Sequence, residues 1–277
     1  MPYLLALTSS LLWGAGDFLG GTLSRRLPAV SVVGVSQALA LVVFLAVAVV
    51  TGQASAGMPA AGWAWSMAAG VAGLIGLIAF YTALAQGTMG VVAPLAALGV
   101  VVPLAAGLLA GDRPSAVQLV GVGLGVAGGF LASGPELASG ARGRSVALAL
   151  VAGVSFGLTL VFLARGSEDS PLLTLVGMRV TSVSVLLVAG LVARTLGGVR
   201  AGDLPLLAAI GLLDGGANLT YAIATTAGLL SLVSVLASLY PAVTVLLARV
   251  IHHERMTRVQ DAGVLAAVGG VVLVAAG

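Results

Sequence analysis

The chain has no cysteine and no lysine, only two histidines, and charged residues make up just 8% of its 277 positions. Without cysteine there is no disulfide framework, no thiolate nucleophile and no thiolate metal site. The two histidines stand side by side, in His252-His253-Glu254, without the spacing of a metalloprotease helix. They read as a loop feature, so neither a metal nor a cofactor is expected. Soluble domains carry roughly 25% charged residues. A chain with so few could not dress a surface of this size for water. All 12 basic residues are arginine and the net charge is +3. In a soluble protein such a balance would suggest nucleic acid. Here the arginines lie scattered between apolar runs, where they read as loop anchors at a membrane surface. No nucleic-acid partner is expected.

What is present is apolar: 60% of residues are hydrophobic and the mean hydropathy is +1.17. A spanning helix needs about 20 predominantly apolar residues. Ten segments meet that description, near 3–22, 30–50, 61–86, 90–110, 115–133, 145–164, 172–194, 204–226, 229–250 and 258–276. The first run, Leu4 to Gly21, ends at Arg25 and Arg26 without a convincing cleavage site and is expected to be a retained helix. The expected fold class is therefore an all-α integral membrane protein of ten transmembrane helices, multi-pass in the inner or plasma membrane, with lipid as its solvent.

The sequence repeats. Asp112-Arg113-Pro114-Ser115-Ala116-Val117-Gln118-Leu119-Val120-Gly121 matches Glu254-Arg255-Met256-Thr257-Arg258-Val259-Gln260-Asp261-Ala262-Gly263. Pro28 to Gly34 matches Pro171 to Gly177, Trp13-Gly14 matches Phe156-Gly157, and Tyr81 matches Tyr221, all at nearly one offset. The expected halves are 1–137 and 145–277. Five helices in each half is an odd number, so the second half is inverted relative to the first. Inverted repeats put a binding site near the bilayer midplane where the halves meet. A small-molecule substrate and alternating access follow as the leading expectation.

Several of these motifs carry a resemblance. Gly-Asp-Arg-Pro-Ser at 111–115 and His-Glu-Arg-Met-Thr at 253–257 each precede a Gly-rich apolar helix; Ser10 to Phe18 reads Ser-Leu-Leu-Trp-Gly-Ala-Gly-Asp-Phe; and Tyr240-Pro241 lies shortly before Glu254. Together these resemble the EamA-type transporters of the drug/metabolite transporter superfamily, over essentially the whole chain. The resemblance implies a 5+5 fold and transport of small metabolites or drugs, often outward. The repeat register sets Leu98-Gly99 opposite Tyr240-Pro241, so no matching proline stands at that point of the fourth segment. Within the first helix, Asp17 to Arg25 also resembles the small multidrug resistance family. That resemblance implies that Asp17 stands where a membrane-embedded carboxylate binds protons and cationic substrates in competition, with Asp in place of Glu; the second half has Leu160 there.

An ionisable group inside an apolar segment is costly and is a functional candidate by default. Asp17 is one. A carboxylate that holds either a proton or a cation, and not both, couples their movements. The alternative is a headgroup-wetted position or a pair with Arg25. Asp214 is a second candidate. Asn218, Tyr221 and Thr225 follow it at helical spacing and place a polar stripe on one face, either lining a cavity or bonding between helices. Arg179 is a third: it binds a substrate carboxylate, neutralises an acid such as Asp214, or snorkels to an interface. Trp13, Tyr81, Phe156, Tyr221 and Tyr240 supply rings that hold an ammonium by cation–π attraction or pack as core. Trp63 and Trp65 read as interface anchors. The Gly123 to Gly128 run matches a dinucleotide fingerprint but lies inside a span, without the strand that motif needs. Gly121, Gly125 and Gly129, with Ala262, Ala266 and Gly270, instead make small-residue faces for close helix contact.

The leading function is a secondary transporter exporting a small metabolite or a cationic, amphipathic compound, coupled to protons through Asp17, as monomer or homodimer. The alternatives are an uncoupled exchanger or importer of a zwitterion such as an amino acid, and a structural or partner-binding membrane protein. An enzyme is not expected, because no paired acids, nucleophiles or metal ligands cluster at one depth. The arginine count in the connections points to an outside N-terminus, whereas the resemblance implies an inside one and is preferred.

Overall fold

The computed structural model describes residues 1–87, 89–132, 143–193, 198–251 and 257–276. Arg142, Arg194, His252, His253, Glu254 and Arg255, and most of the junction between the expected halves, lie outside the described residues. Among the described residues the regular structure is helix throughout: α1 Pro2–Leu23, α2 Ala29–Val50, α3 Gln53–Ala56, α4 Ala60–Gln86, α5 Met89–Ala97, α6 Val101–Leu109, α7 Ala116–Ala132, α8 Gly143–Ser167, α9 Pro171–Ala193, α10 Leu204–Thr225, α11 Leu230–Ala237, α12 Tyr240–Ile251 and α13 Arg258–Ala276. This is the arrangement a bilayer demands, since a helix satisfies its backbone polar groups within itself.

Among the described residues six stretches are long and apolar enough to cross a membrane: Ala29–Val50, Ala60–Gln86, Gly143–Ser167, Pro171–Gly190, Ala201–Thr225 and Leu230–Ile251. The first helix is as long, but Thr8, Ser9, Ser10 and Asp17 leave it outside that set. Large apolar side chains such as Val42, Leu45, Val50, Leu187, Val188 and Leu265 point outward and are exposed, as a surface solvated by lipid requires.

Two of the expected continuous spans are broken. The segment expected at 90–110 is α5, a 3-10 turn at Leu98–Val100, and α6. That at 229–250 is α11 and α12, interrupted at Ser238 and Leu239. The second break follows from Pro241, which cannot continue a helical hydrogen-bond ladder. The first has no proline at the matching point, but Pro103 withholds the N–H that the Gly99 carbonyl would accept four residues back, and tertiary packing adds to it. The Gly99 backbone is pressed against Gly153 and Gly157 of α8, so closely that a Cβ on Gly99 would overlap the Gly153 carbonyl. The short α3 was also not expected; it is entered through Gly52 at φ 73°, which glycine adopts without the steric penalty of a Cβ.

The two breaks make matching contacts. A Cβ on Gly14 of α1 would overlap the Val243 side chain and meet the Tyr240 carbonyl oxygen at 2.7 Å. A Cβ on Gly157 of α8 would meet the Gly99 carbonyl oxygen and the Val102 side chain, the latter at 2.8 Å. In each case a glycine beside an aromatic residue (Trp13 or Phe156) lets a broken helix approach at backbone distance.

The most extensive helix pairs are α4 with α8, α7 with α13, and α1 with α10. Gly270 of α13 seats on Gly121 and Gly125 of α7 at 2.6 Å from a built Cβ, so the small-residue face is used for close packing. The Asp112 to Gln118 motif is a pair of helix caps. The Ser115 N–H donates to Gln118 Oε1 at 2.8 Å while the Gln118 N–H donates to Ser115 Oγ at 3.2 Å, a capping box at the start of α7. Asp112 Oδ2 accepts the Ser231 N–H at 2.8 Å and caps α11 from across the bundle.

Candidate functional site

A cavity lies at mid-helix depth, where α1, α4, the α5–α6 break, α8, α9, α10 and the α11–α12 break converge. Its empty volume is about 580 Å³, counting the part open to solvent. Trp13 and Asp17 come from α1, Gly73 and Leu77 from α4, Ala96, Ala97, Gly99 and Val100 from the first break, Phe156, Gly157, Thr159 and Leu160 from α8, Met178 from α9, Asp214 and Asn218 from α10, and Ser238 and Tyr240 from the second break. The glycines at Gly73, Gly99 and Gly157 make room, and the rings make the walls.

Six of the nine residues singled out from the sequence therefore line one space: Trp13, Asp17, Phe156, Asp214, Asn218 and Tyr240. The other three stand behind the wall. Tyr81 is buried, lies tilted against Phe80 at 6.2 Å between ring centroids, and seats its ring on Gly20, one helical turn beyond Asp17. Tyr221 sits 5.9 Å from Trp13 between ring centroids, and its hydroxyl pairs with Ser234 Oγ at 2.8 Å. Arg179 is completely buried and pairs its Nη2 with Asp214 Oδ2 at 2.6 Å. Of the three readings open to Arg179, it adopts that of a partner to a buried acid.

Asp214 is saturated with donors. Besides Arg179 it accepts at Oδ1 from Trp13 Nε1 at 3.2 Å and from Asn218 Nδ2 at 3.1 Å. The stripe expected along α10 divides at that point. Asp214 and Asn218 face the cavity, Tyr221 bonds to α11, and Thr225 returns its hydroxyl to the Ala222 carbonyl. Asp17 is the contrary case. It is 6% exposed, lines the same cavity, and makes no hydrogen bond or ion pair among the described residues, so the alternative of a pair with Arg25 does not hold. The Tyr240 hydroxyl is likewise buried without a partner there.

Trp13, Tyr221 and Tyr240 form one aromatic chain, with Trp13 edge-on to Tyr240 at 6.4 Å. Phe80 joins Phe156 at 5.4 Å and Tyr240 at 6.3 Å. Sequence reading missed Thr159, Met178 and Ser238 in the wall, and the buried Gln37–Ser182 hydrogen bond beside Arg179. Thr159 and Ser238 had a legible signal, since each is a hydroxyl in an apolar run next to a noted aromatic. Met178 and the cavity glycines had none. No group of three metal-ligating side chains occurs among the described residues.

No curated protein matches the chain. A solved structure described only as "Crystal structure of protein" superimposes with a TM-score of 0.77 over 98% of this chain and 95% of its own, at 18% identity, which establishes likeness of fold. A family model, the EamA-like transporter family, matches twice, over residues 1–134 and again over 143–276. The two matches span nearly the whole chain, and the protein belongs to the EamA-like transporter family, a family of membrane transporters and not of enzymes.

Proposed function

We propose that the protein is a secondary transporter that exports a small cationic or amphipathic compound in exchange for protons, by alternating access of the central cavity. The underlying architecture is ten spans in two inverted five-helix halves, 1–137 and 145–277, in the inner or plasma membrane. The double family match supports that division, as do the paired contacts of Gly14 with Tyr240 and of Gly157 with Gly99. Discontinuous helices at a midplane site are the usual device of such transporters.

The observation that carries the reading is Asp17: a buried carboxyl in the cavity wall with no partner of its own among the described residues. Burying an unpaired charge is costly, and a proton or a cationic substrate each relieves that cost, one at a time. Asp214 from α10 is the ionisable neighbour whose charge bears on Asp17, and the charge of Asp17 in turn reaches the phenols of Tyr81 from α4 and Tyr240 from α12. Asp214 is already paired with Arg179. Trp13, Phe156 and Tyr240 supply ring faces for a cation, each good for about 0.5–2 kcal/mol. The zwitterion alternative needs Arg179 at the cavity surface, but its carboxylate partner is Asp214 and it stands behind the wall.

In proteoliposomes loaded with a pH-sensitive dye, adding a substrate found in a panel of amines, amino acids and nucleosides is expected to move protons through the wild type. Asp17→Asn, folded as judged by monodispersity, is expected to move none. Unchanged proton movement in that variant would remove Asp17 from the coupling.

A further inference from the structure

We propose that Arg179 fixes the net charge of the cavity, and so the valence of the transported ion, without touching the ion. The inference rests on Asp17 as the cation and proton site and asks what the second carboxylate does.

Asp17 and Asp214 face one space. Left alone, two ionised carboxylates there would present a double negative charge, and the matching cargo would be a dication. Arg179 changes that balance. Its guanidinium comes from α9, is fully buried, and donates from Nη2 to Asp214 Oδ2 at 2.6 Å. It does not line the cavity. The other Asp214 oxygen is taken by Trp13 and Asn218. Asp214 thus offers a cargo neither an uncompensated charge nor a carboxylate oxygen free of donors. The Nε and Nη1 of Arg179 find no acceptor among the described residues, so the polar contact the guanidinium makes is the one to Asp214. The wall then carries a formal charge of one, held by Asp17 when ionised, and none when Asp17 is protonated. A monocation with an aromatic or aliphatic body is matched. A dication would bring an uncompensated charge into a region of low dielectric, where it is strongly disfavoured.

The test uses two probes of fixed charge and similar ring: benzyltrimethylammonium, and its doubly charged counterpart para-xylylene bis(trimethylammonium). Binding to the purified full-length protein is measured by equilibrium dialysis at alkaline and acidic pH. The wild type is expected to prefer the monocation by about tenfold or more, the equivalent of one decade in affinity, and to lose it on acidification. Asp214→Asn leaves Arg179 uncancelled opposite Asp17, and is expected to weaken monocation binding by about tenfold. Arg179→Met alone is expected to shift preference towards the dication. Because that variant buries an unpaired carboxylate and can fail to fold, the decisive arm is Arg179→Met combined with Asp214→Asn. The pair is removed with its charges balanced, and monocation binding is expected to recover to within about threefold of wild type, the non-additivity of two coupled sites.

A folded double variant as defective as Asp214→Asn alone would overturn the proposal and make Asp214 a direct ligand of the cargo. A folded Arg179→Met with an unchanged ratio of the two probes would overturn it as well. Failure of the underlying reading has a separate signature: Asp17→Asn binding the monocation like wild type, which removes the cation site and this inference with it.

Discussion

At the scale of single residues, the site depends on which polar groups are satisfied. Trp13 serves twice, as a ring in the wall and as a donor to Asp214. Trp13→Phe keeps the ring and removes the donor. A hydrogen bond to a charged group contributes about 1.5–3 kcal/mol, and at 3.2 Å this one belongs at the low end. Thermal unfolding in detergent is expected to show a loss of that order, with Asp214 still held by Arg179 and Asn218. A stability equal to wild type would mean that the indole N–H is not engaged. At this scale the acids were legible in the sequence, because Asp17 and Asp214 interrupt apolar runs and lipid does not tolerate such groups without cause. Their difference was not legible. That Asp214 is paired, and Asp17 among the described residues is not, depends on Arg179 arriving from α9, 35 positions away from Asp214 in sequence.

At the scale of elements, the broken helices matter most. Each break is seated on a glycine of another helix, Gly14 under Tyr240 and Gly157 under Gly99. Alanine at either position would drive a methyl group into a backbone carbonyl. Overpacking a tight contact costs about 1–3 kcal/mol, and Gly14→Ala and Gly157→Ala are each expected to lower stability in detergent by that much. Gly123→Ala is the control. Nothing lies within 4 Å of its Cβ, and in a helix interior alanine is favoured over glycine by about 1 kcal/mol; it is expected to be neutral or stabilising. Equal losses at all three positions would refute the role given to close approach. Six membrane-length stretches among the described residues were legible from hydropathy, and the α11–α12 interruption from Pro241. The break at Leu98–Val100 was legible in part, because Pro103 withholds the N–H that the Gly99 carbonyl would accept, although no proline stands opposite Pro241. The close seat of that backbone on Gly153 and Gly157 of α8 was not legible, since it is absent from the local sequence.

At the scale of the whole molecule, the cavity is lined from both stretches that match the family model, 1–134 and 143–276. Trp13, Asp17, Leu77 and Gly99 come from the first, and Phe156, Asp214, Asn218 and Tyr240 from the second. Neither half closes the space alone. Residues 1–137 and 145–277, produced separately and reconstituted, are each expected to bind no substrate, whereas co-expression is expected to restore binding. Binding by one isolated half would contradict a shared site.

Sequence alone determined the solvent, the element type and the duplication. These follow from composition and from repeated local motifs, and a bilayer leaves an apolar chain little choice but helix. Family membership was legible from the same motifs. Tertiary structure alone decided which polar residues share a cavity, which acid is neutralised and how closely the broken helices seat on α1 and α8. Those outcomes depend on contacts between segments far apart in the chain, and a side chain's charge acquires its role from the partner that packing brings within hydrogen-bonding reach.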